Sequence, residues 1–367
     1  MNPAISNISE EGDVYKFTLT GANVSVANAI RRTILSDVPT VCFHTETYET
    51  NQCNIIINTT RLHNEILKHR LSCIPVHIRE LDILPGKYIL ELDLQNDTDA
   101  IMMVTTEHFK IRNKENGNYL TEGETRKIFP PNNKTNYFID YARLRPKISD
   151  TVPGERLKLV AEFSVHTAKD NSVYNVVSKC SYGNTVDLTK AKFIWDEHED
   201  SLRAEQMTKE EIDIKKKNFY LLDANRHSVE NSFDFVVQTI GVYDNKDIVK
   251  KAVIILKKKF TDMIQAIDSN TIPIMVSETT MDFCYDVVLE NEDYTIGKVL
   301  EYFLYEKYYL KDKIFTFCGF KKFHPHNNES VIRVAYNENA DKLMIAQHVR
   351  IACVDSIEVF DKIARLF

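Results

Sequence analysis

Three observations predict an α+β fold in which antiparallel sheets pack against helices, arranged as two related modules and a β-rich insertion. Segments of period-two alternation, such as residues 14–20 and 88–94, are interspersed with stripes of helical period. The strand-then-helix order of the opening residues recurs beyond residue 271. Between residues 80 and 165, short alternating segments are separated by turn clusters such as Asn116-Gly117 and Pro130-Pro131-Asn132-Asn133.

Composition bounds the function. The 367 residues, 43% of them hydrophobic, suffice for two or three domains with real cores. The formal charge of −7, from 46 basic and 53 acidic residues, disfavours non-specific nucleic-acid binding, which needs clustered Lys and Arg. Seven scattered cysteines (Cys42, Cys53, Cys73, Cys180, Cys284, Cys318, Cys353) include no C-x-x-C pair. They read as small core residues of a reducing compartment, with neither disulfide framework nor zinc site. No apolar run approaches the roughly 18 residues of a membrane span, and the first residues lack a signal-peptide pattern. The expectation is a soluble, intracellular protein that needs no cofactor.

Residues 14–20 predict a strand, and Gly21-Ala22-Asn23 a turn into a helix. Val26, Ala27, Ile30, Ile34, Leu35 and Val38 form that helix's stripe, with Ser25 as the expected cap and Pro39 as the stop. Arg31 and Arg32 lie mid-helix; by periodicity alone this is a surface helix with solvated charges. Strands are expected over 41–48 and 53–58. A further helix with Leu62, Ile66 and Leu67 is capped by Thr60 and leads through His69-Arg70-Leu71 to Ile74-Pro75. Strands follow over 88–94 and 157–165. Residues 187–217 are strongly charged and read as a solvated helix or a mobile linker without a nucleic-acid stripe. A strand over 233–241 precedes a helix over 247–267, whose stripe through Phe260 is too wide for solvent. Then the plan repeats: a strand over 282–289, a helix opened by Tyr294-Thr295-Ile296-Gly297, and strands around 314–320 and 330–336. The last helix spans 340–367, with Leu343, Ala346, Val349, Cys353, Ile357, Phe360 and Ala364 near one another.

The string Asn28-Ala29-Ile30-Arg31-Arg32 followed by Asp37-Val38-Pro39-Thr40 resembles the first helix of the α-type subunits of multisubunit RNA polymerases. The likeness is greatest to the larger α-like subunit, the third of RNA polymerase II. Glu65, His69-Arg70-Leu71 and Ile74-Pro75 repeat it in order. Thr167-Ala168-Lys169 resembles the family's His-Ala-Lys loop, with the histidine position falling on Thr167. The metal loop of many relatives has no counterpart, since no cysteine lies between Cys73 and Cys180. Residues 272–367 resemble the small α-like subunit, the eleventh of RNA polymerase II, through Thr295-Ile296-Gly297, Gly319-Phe320 and His324-Pro325; Tyr294 stands where that family has histidine.

The resemblance implies two α-like dimerisation modules fused in one chain, one over 1–45 and 176–270, the other over 271–367, with the β-rich insertion over 46–175. Such fusions are similar to those of large cytoplasmic DNA viruses. It implies a non-catalytic assembly platform whose partners are the second-largest and largest polymerase subunits and a small accessory subunit, with little direct nucleic-acid contact and no membrane. The location would be host cytoplasm and virion for a virus, or the nucleus for a cell. The implied subunit-interface residues are Asn28, Arg31, Arg32, Pro39, Glu65, His69, Arg70, Ile74, Pro75, Lys169, Phe260, Gly297, Leu300, Gly319, His324 and Pro325. Two alternatives stand beside it. An enzyme of unfamiliar α+β fold would use His69, Arg70 or His324 in a cleft, and direct DNA binding would need a basic carboxyl-terminal domain. His324-Pro325-His326 supplies only two metal ligands, so no metal is expected.

Overall fold

The computed structural model describes residues 1–149 and 151–367. In chain order, β1 (Ala4–Glu11) and β2 (Val14–Thr20) form a hairpin, followed by α1 (Val24–Ser36) and β3 (Thr40–Cys42). Then come β4 (Cys53–Asn58), α2 (Asn64–Ser72), β5 (Tyr88–Gln95), β6 (Met102–Thr105) and β7 (Lys110–Asn113). They lead to α3 (Glu122–Ile128), β8 (Asp140–Leu144), β9 (Arg156–Glu162) and β10 (Ser164–His166). β11 (Val177–Val186), α4 (Leu188–Ala204), α5 (Lys209–Leu221), β12 (Ser228–Thr239) and α6 (Asn245–Asp268) follow. The chain closes with β13 (Ile274–Val276), β14 (Cys284–Glu290), α7 (Tyr294–Leu304), β15 (Phe315–Lys321), β16 (Glu329–Tyr336) and α8 (Lys342–Ala364).

The chain divides into two compact units. One comprises Met1–Ile34, Lys179–Gln238 and Asn245–Phe367; the other comprises Leu35–Ser178 and Thr239–Asp244. The first contains the same construction twice. One sheet has the order β1-β2-β12-β11 and the other β13-β14-β16-β15. In each, a helix follows the second strand (α1 or α7) and a long helix follows the last (α6 or α8). In the first sheet Phe17 faces Phe235 across β2 and β12, with rings stacked at 4.9 Å. In the second, Val287 faces Ile332 across β14 and β16, both buried.

Helices α6 and α8 pack antiparallel, since Lys257 pairs with Asp361 while Asp268 pairs with Arg350. Phe260 stacks on Phe360 at 5.8 Å, and Val249, Ala252, Val253 and Leu256 are fully buried. The facing residues of α8 include Ile345, Val349, Cys353 and Ile363. Leu343, expected in that stripe, is 79% exposed, because the helix begins only at Lys342 and Ile345 takes the inward position.

The charged stretch is an ordered helical hairpin. The Asp187 side chain caps α4, and a reciprocal Thr208–Glu211 box caps α5. Ala191, Trp195, Leu202, Ile212 and Phe219 form a small core of their own, while the charges occupy the outer face.

The second unit carries the sheet β4-β9-β5-β7 and the pair β6-β8 over a core that includes Leu67, Leu71, Leu90, Val104, Tyr141 and Leu159. The strand expected over 41–48 shrinks to β3. Beyond it, the Thr47 and Thr50 hydroxyls bond each other and that of Thr50 donates to the Glu46 carbonyl, closing a turn in place of a ladder. The expected strand over 157–165 breaks at Phe163, whose ring packs on Phe43, and β10 pairs instead with β3.

Candidate subunit interface

The start of α1 places its arginines. Asn23, rather than Ser25, serves the first turn: its Oδ1 accepts the Ser25 N–H at 2.9 Å, while the Ser25 hydroxyl is buried without a hydrogen-bond partner. Adjacent positions on a helix point about 100° apart, so Arg31 and Arg32 diverge. Arg32 donates from Nη2 to Asp293 Oδ2 at 2.6 Å and from Nε to Thr295 Oγ1 at 2.9 Å. Asp293 is also the cap of α7, accepting the Thr295 N–H at 2.8 Å. Burial pulls the Asp293 carboxyl upward, but the Thr295 hydroxyl and N–H and the Arg32 charge outweigh it and hold it below the ordinary value. Arg31 instead folds along its own helix, donating twice to Asn28 Oδ1 at 3.1 and 2.9 Å. Its charge reaches Cys180 and Tyr182 on β11, where it opposes the burial that pushes the Cys180 thiol up to about 12.

Gly297 and Gly319 are explained by rings. A Cβ on Gly297 would meet the Phe320 ring at 2.0 Å, and one on Gly319 would meet the Phe317 ring at 2.9 Å. Leu300 and Phe260 are fully buried. His324 and Pro325 lie exposed in the turn after β15, where His324 Nδ1 accepts the His326 N–H at 3.2 Å.

In the second unit, α2 lacks the expected cap. His63 precedes the helix without a side-chain bond, because Thr60 is spent in a turn on Asn58 Oδ1 at 2.7 Å. Of the expected stripe, Leu67 is buried, Leu62 lies half-buried before the helix begins, and Ile66 is exposed beside Glu65 and His69; Leu71 takes the second inward position. Arg70 is committed internally, donating to the Tyr141 and Asp140 carbonyls at 2.7 and 2.6 Å and so tying α2 to β8. Ile74 is buried and Pro75 half-buried. The Pro39 carbonyl accepts the Tyr243 hydroxyl at 2.9 Å. The Lys169 N–H donates to the Ser36 carbonyl at 2.8 Å, and Asp170 holds the loop by accepting the Thr167 N–H at 3.0 Å. His166 stacks on His44 at 4.3 Å beside Tyr174, and burial, followed by the neighbouring His166, lowers the His44 pKa.

Sequence reasoning missed Asp293 and His44. Asp293 was legible as a capping residue directly before a helix; its pairing with Arg32, 261 positions away, was not. His44 carried no local signal. An open cleft of about 590 Å³, lined by Met103, Glu107, Arg126, Tyr137 and Asp140 among others, contains none of His69, Arg70 or His324. No cluster of three or more metal-ligating side chains occurs among the described residues, and no helix there is long and apolar enough to cross a membrane.

Residues 16–260, from β2 to the middle of α6, match the RNA polymerase Rpb3/Rpb11 dimerisation domain. The chain belongs to this family. It is 36% identical over 100 residues to the DNA-directed RNA polymerase subunit Rpo3 of Pyrococcus furiosus, covering 26% of this chain and 36% of that protein. Over 81 residues it is 36% identical to the RNA polymerase II subunit RPB3 of Schizosaccharomyces pombe, covering 22% and 24%. Over 77 residues it is 34% identical to the RNA polymerases I and III subunit rpac1 of Dictyostelium discoideum, covering 21% and 20%. The matched stretch thus spans about a third of the first relative's length and less of the other two.

Proposed function

We propose that this chain is a non-catalytic assembly platform of a multisubunit DNA-directed RNA polymerase, formed by two α-like modules fused into one polypeptide. The observation that carries the reading is the doubled construction, in which two four-stranded sheets of equivalent order are joined through α6 and α8. Fusion makes pairing intramolecular, at an effective concentration that for short linkers is about millimolar. The platform would then capture the second-largest subunit, followed by the largest and a small accessory subunit. The domain limits 1–45 with 176–270, 46–175 and 271–367 belong to this reading. So does a location in viral factories and virions, or in the nucleus of a cellular host.

The contacts divide by direction. Arg32 is spent on α7, so the internal pairing uses it together with Phe260, Leu300 and Gly297. Arg31, with Asn28, is the arginine left for an outside partner, and in the second unit Glu65 and His69 are the corresponding residues. An arginine buried on assembly makes strong hydrogen bonds to carboxylate or carbonyl groups. Co-expression with the second-largest subunit and affinity recovery of the complex tests this. Arg31→Ala should leave the chain folded and reduce recovery by tenfold or more, whereas undiminished recovery would refute the assignment.

A further inference from the structure

We propose that β15 and the turn after it form a binding site for single-stranded nucleic acid, in addition to the assembly role. The whole chain is acidic, yet residues 313–328 contain Lys313, Lys321, Lys322, His324 and His326 and no carboxylate. Aromatic rings are interleaved with them. β15 is the outer strand of its sheet, and no strand pairs with its other edge among the described residues.

The rings are presented rather than buried. Phe317 is 39% exposed, Phe323 57% and Tyr294 45%. Each is held in place. Phe317 lies over Gly319, and Tyr294 meets Phe320 edge-on at 5.1 Å, with Phe320 seated on Gly297. The Lys321 ammonium sits 4.4 Å from the Phe323 ring centre and that of Lys298 6.0 Å from Phe320. From Phe317 to Phe323 the chain spans at most about 20 Å, enough for several nucleotides. The nearby acids are largely engaged: Glu301 pairs with Lys298, and Asp286 holds Arg333 in a two-pronged bond at 2.7 Å. Glu329, which opens β16 directly after the turn, and Glu290 opposite it are exposed, as is Asp312 before Lys313.

This is the combination that sequence-tolerant single-strand binders use, in which lysines follow the phosphates and exposed rings stack on bases. Phe317 and Lys321 share one face of β15, with Phe323 just beyond, while Tyr294 lies with Phe320 on the face toward α7; an acidic protein surface would use the lysines but has no need of Phe317 and Phe323. Duplex nucleic acid hides the base faces that such rings engage.

The test uses the full chain and fluorescein-labelled 12-mers of deoxythymidine and of uridine, read by polarisation at several salt concentrations. Binding should weaken as salt rises. Lys321→Ala with Lys322→Ala should weaken it at least tenfold and flatten the salt dependence. Phe323→Ala, at an exposed position, should weaken it by about tenfold, and Phe323→Tyr should restore it. A 12-base-pair duplex should bind at least tenfold more weakly than either strand. Absence of salt-dependent binding, or equal affinity in the lysine and phenylalanine variants, would overturn the proposal. Equal displacement by polyglutamate, with Phe323→Ala neutral, would assign the patch to an acidic protein instead.

Discussion

Two helix pairs in the first unit bury aromatic residues at their centres, at very different distances along the chain. In the α6–α8 pair, Phe260 meets Phe360 and Lys257 meets Asp361, so these contacts join residues about a hundred positions apart. In the α4–α5 hairpin, Trp195 meets Phe219 within one short excursion between β11 and β12. Closing the hairpin costs little chain entropy, and its caps and core are local. The long pair must be closed across α7 and the second sheet, so the two repeated constructions gain stability from it together. The difference implies that damage to the hairpin stays local, while damage to the long pair reaches the whole unit.

The sharpest way to break that contrast is Phe260→Asp. The ring is fully buried against Phe360, and an unpaired carboxylate there costs several kcal/mol at least, about the whole margin of an ordinary domain. We expect loss of cooperative melting and of soluble protein, and a wild-type melting temperature would refute the central role of the seam. Phe219→Ala in the hairpin should cost about 3 kcal/mol, but locally. Trp195, the chain's single tryptophan, reports it directly: its emission should shift red while α6 and α8 keep their amide protection against hydrogen exchange. Equal loss of protection in α6 would show the two pairs to be coupled.

A smaller effect separates the polar part of the internal pairing from its apolar part. Asp293→Asn weakens the bond to Arg32 and should cost about 1–2 kcal/mol near neutral pH. The carboxyl is held below its unfolded value, near 3.9, so its stabilisation is full above that value and is lost as pH falls through the lower, folded value. The wild-type chain should therefore lose stability below about pH 4 more steeply than Asp293→Asn, as read by thermal melts at stepped pH. Parallel slopes would mean that the carboxyl is not depressed.

These contrasts also explain what was legible in the sequence. The wide stripe of α6 marks a buried helix, and the recurrence after residue 271 matches a second sheet of equivalent strand order, because periodicity is local and repeats can be seen without coordinates. Of the two readings of 187–217, the solvated helix holds and the mobile linker does not; the charge run hid Trp195 and Ile212, which with Phe219 just beyond are too few to make a stripe. Nothing local to Arg70 predicts that its guanidinium also donates to two carbonyls of a strand seventy residues away. The sequence shows that Arg31 and Arg32 diverge, but not which of them meets Asp293. Pairings of this range depend on tertiary approach, and no local pattern encodes them. The breaks after Cys42 and at Phe163 are hidden for another reason: threonine hydroxyls and one inward ring interrupt stretches whose β-propensity is otherwise continuous.

The smallest expected effect concerns Gly297, where two opposed terms nearly cancel. Glycine inside α7 sacrifices about 1 kcal/mol of helix propensity relative to alanine. An added Cβ would lie 2.0 Å from the Phe320 ring, closer than any real contact, so the ring must move. The atoms it meets are the far end of a half-buried side chain on the outer strand, which can swing aside at the loss of its edge contact with Tyr294. Gly297→Ala should therefore change stability by no more than about 1 kcal/mol, against several for Phe260→Asp. Removing the ring isolates the terms. With Phe320→Ala in the background, the same Gly297→Ala change meets no ring and should stabilise the chain by the propensity gain, about 1 kcal/mol. A double-mutant cycle on melting free energies reads the difference. If alanine at 297 is equally costly with and without the ring, then something other than Phe320 requires the glycine, and the explanation by close approach fails.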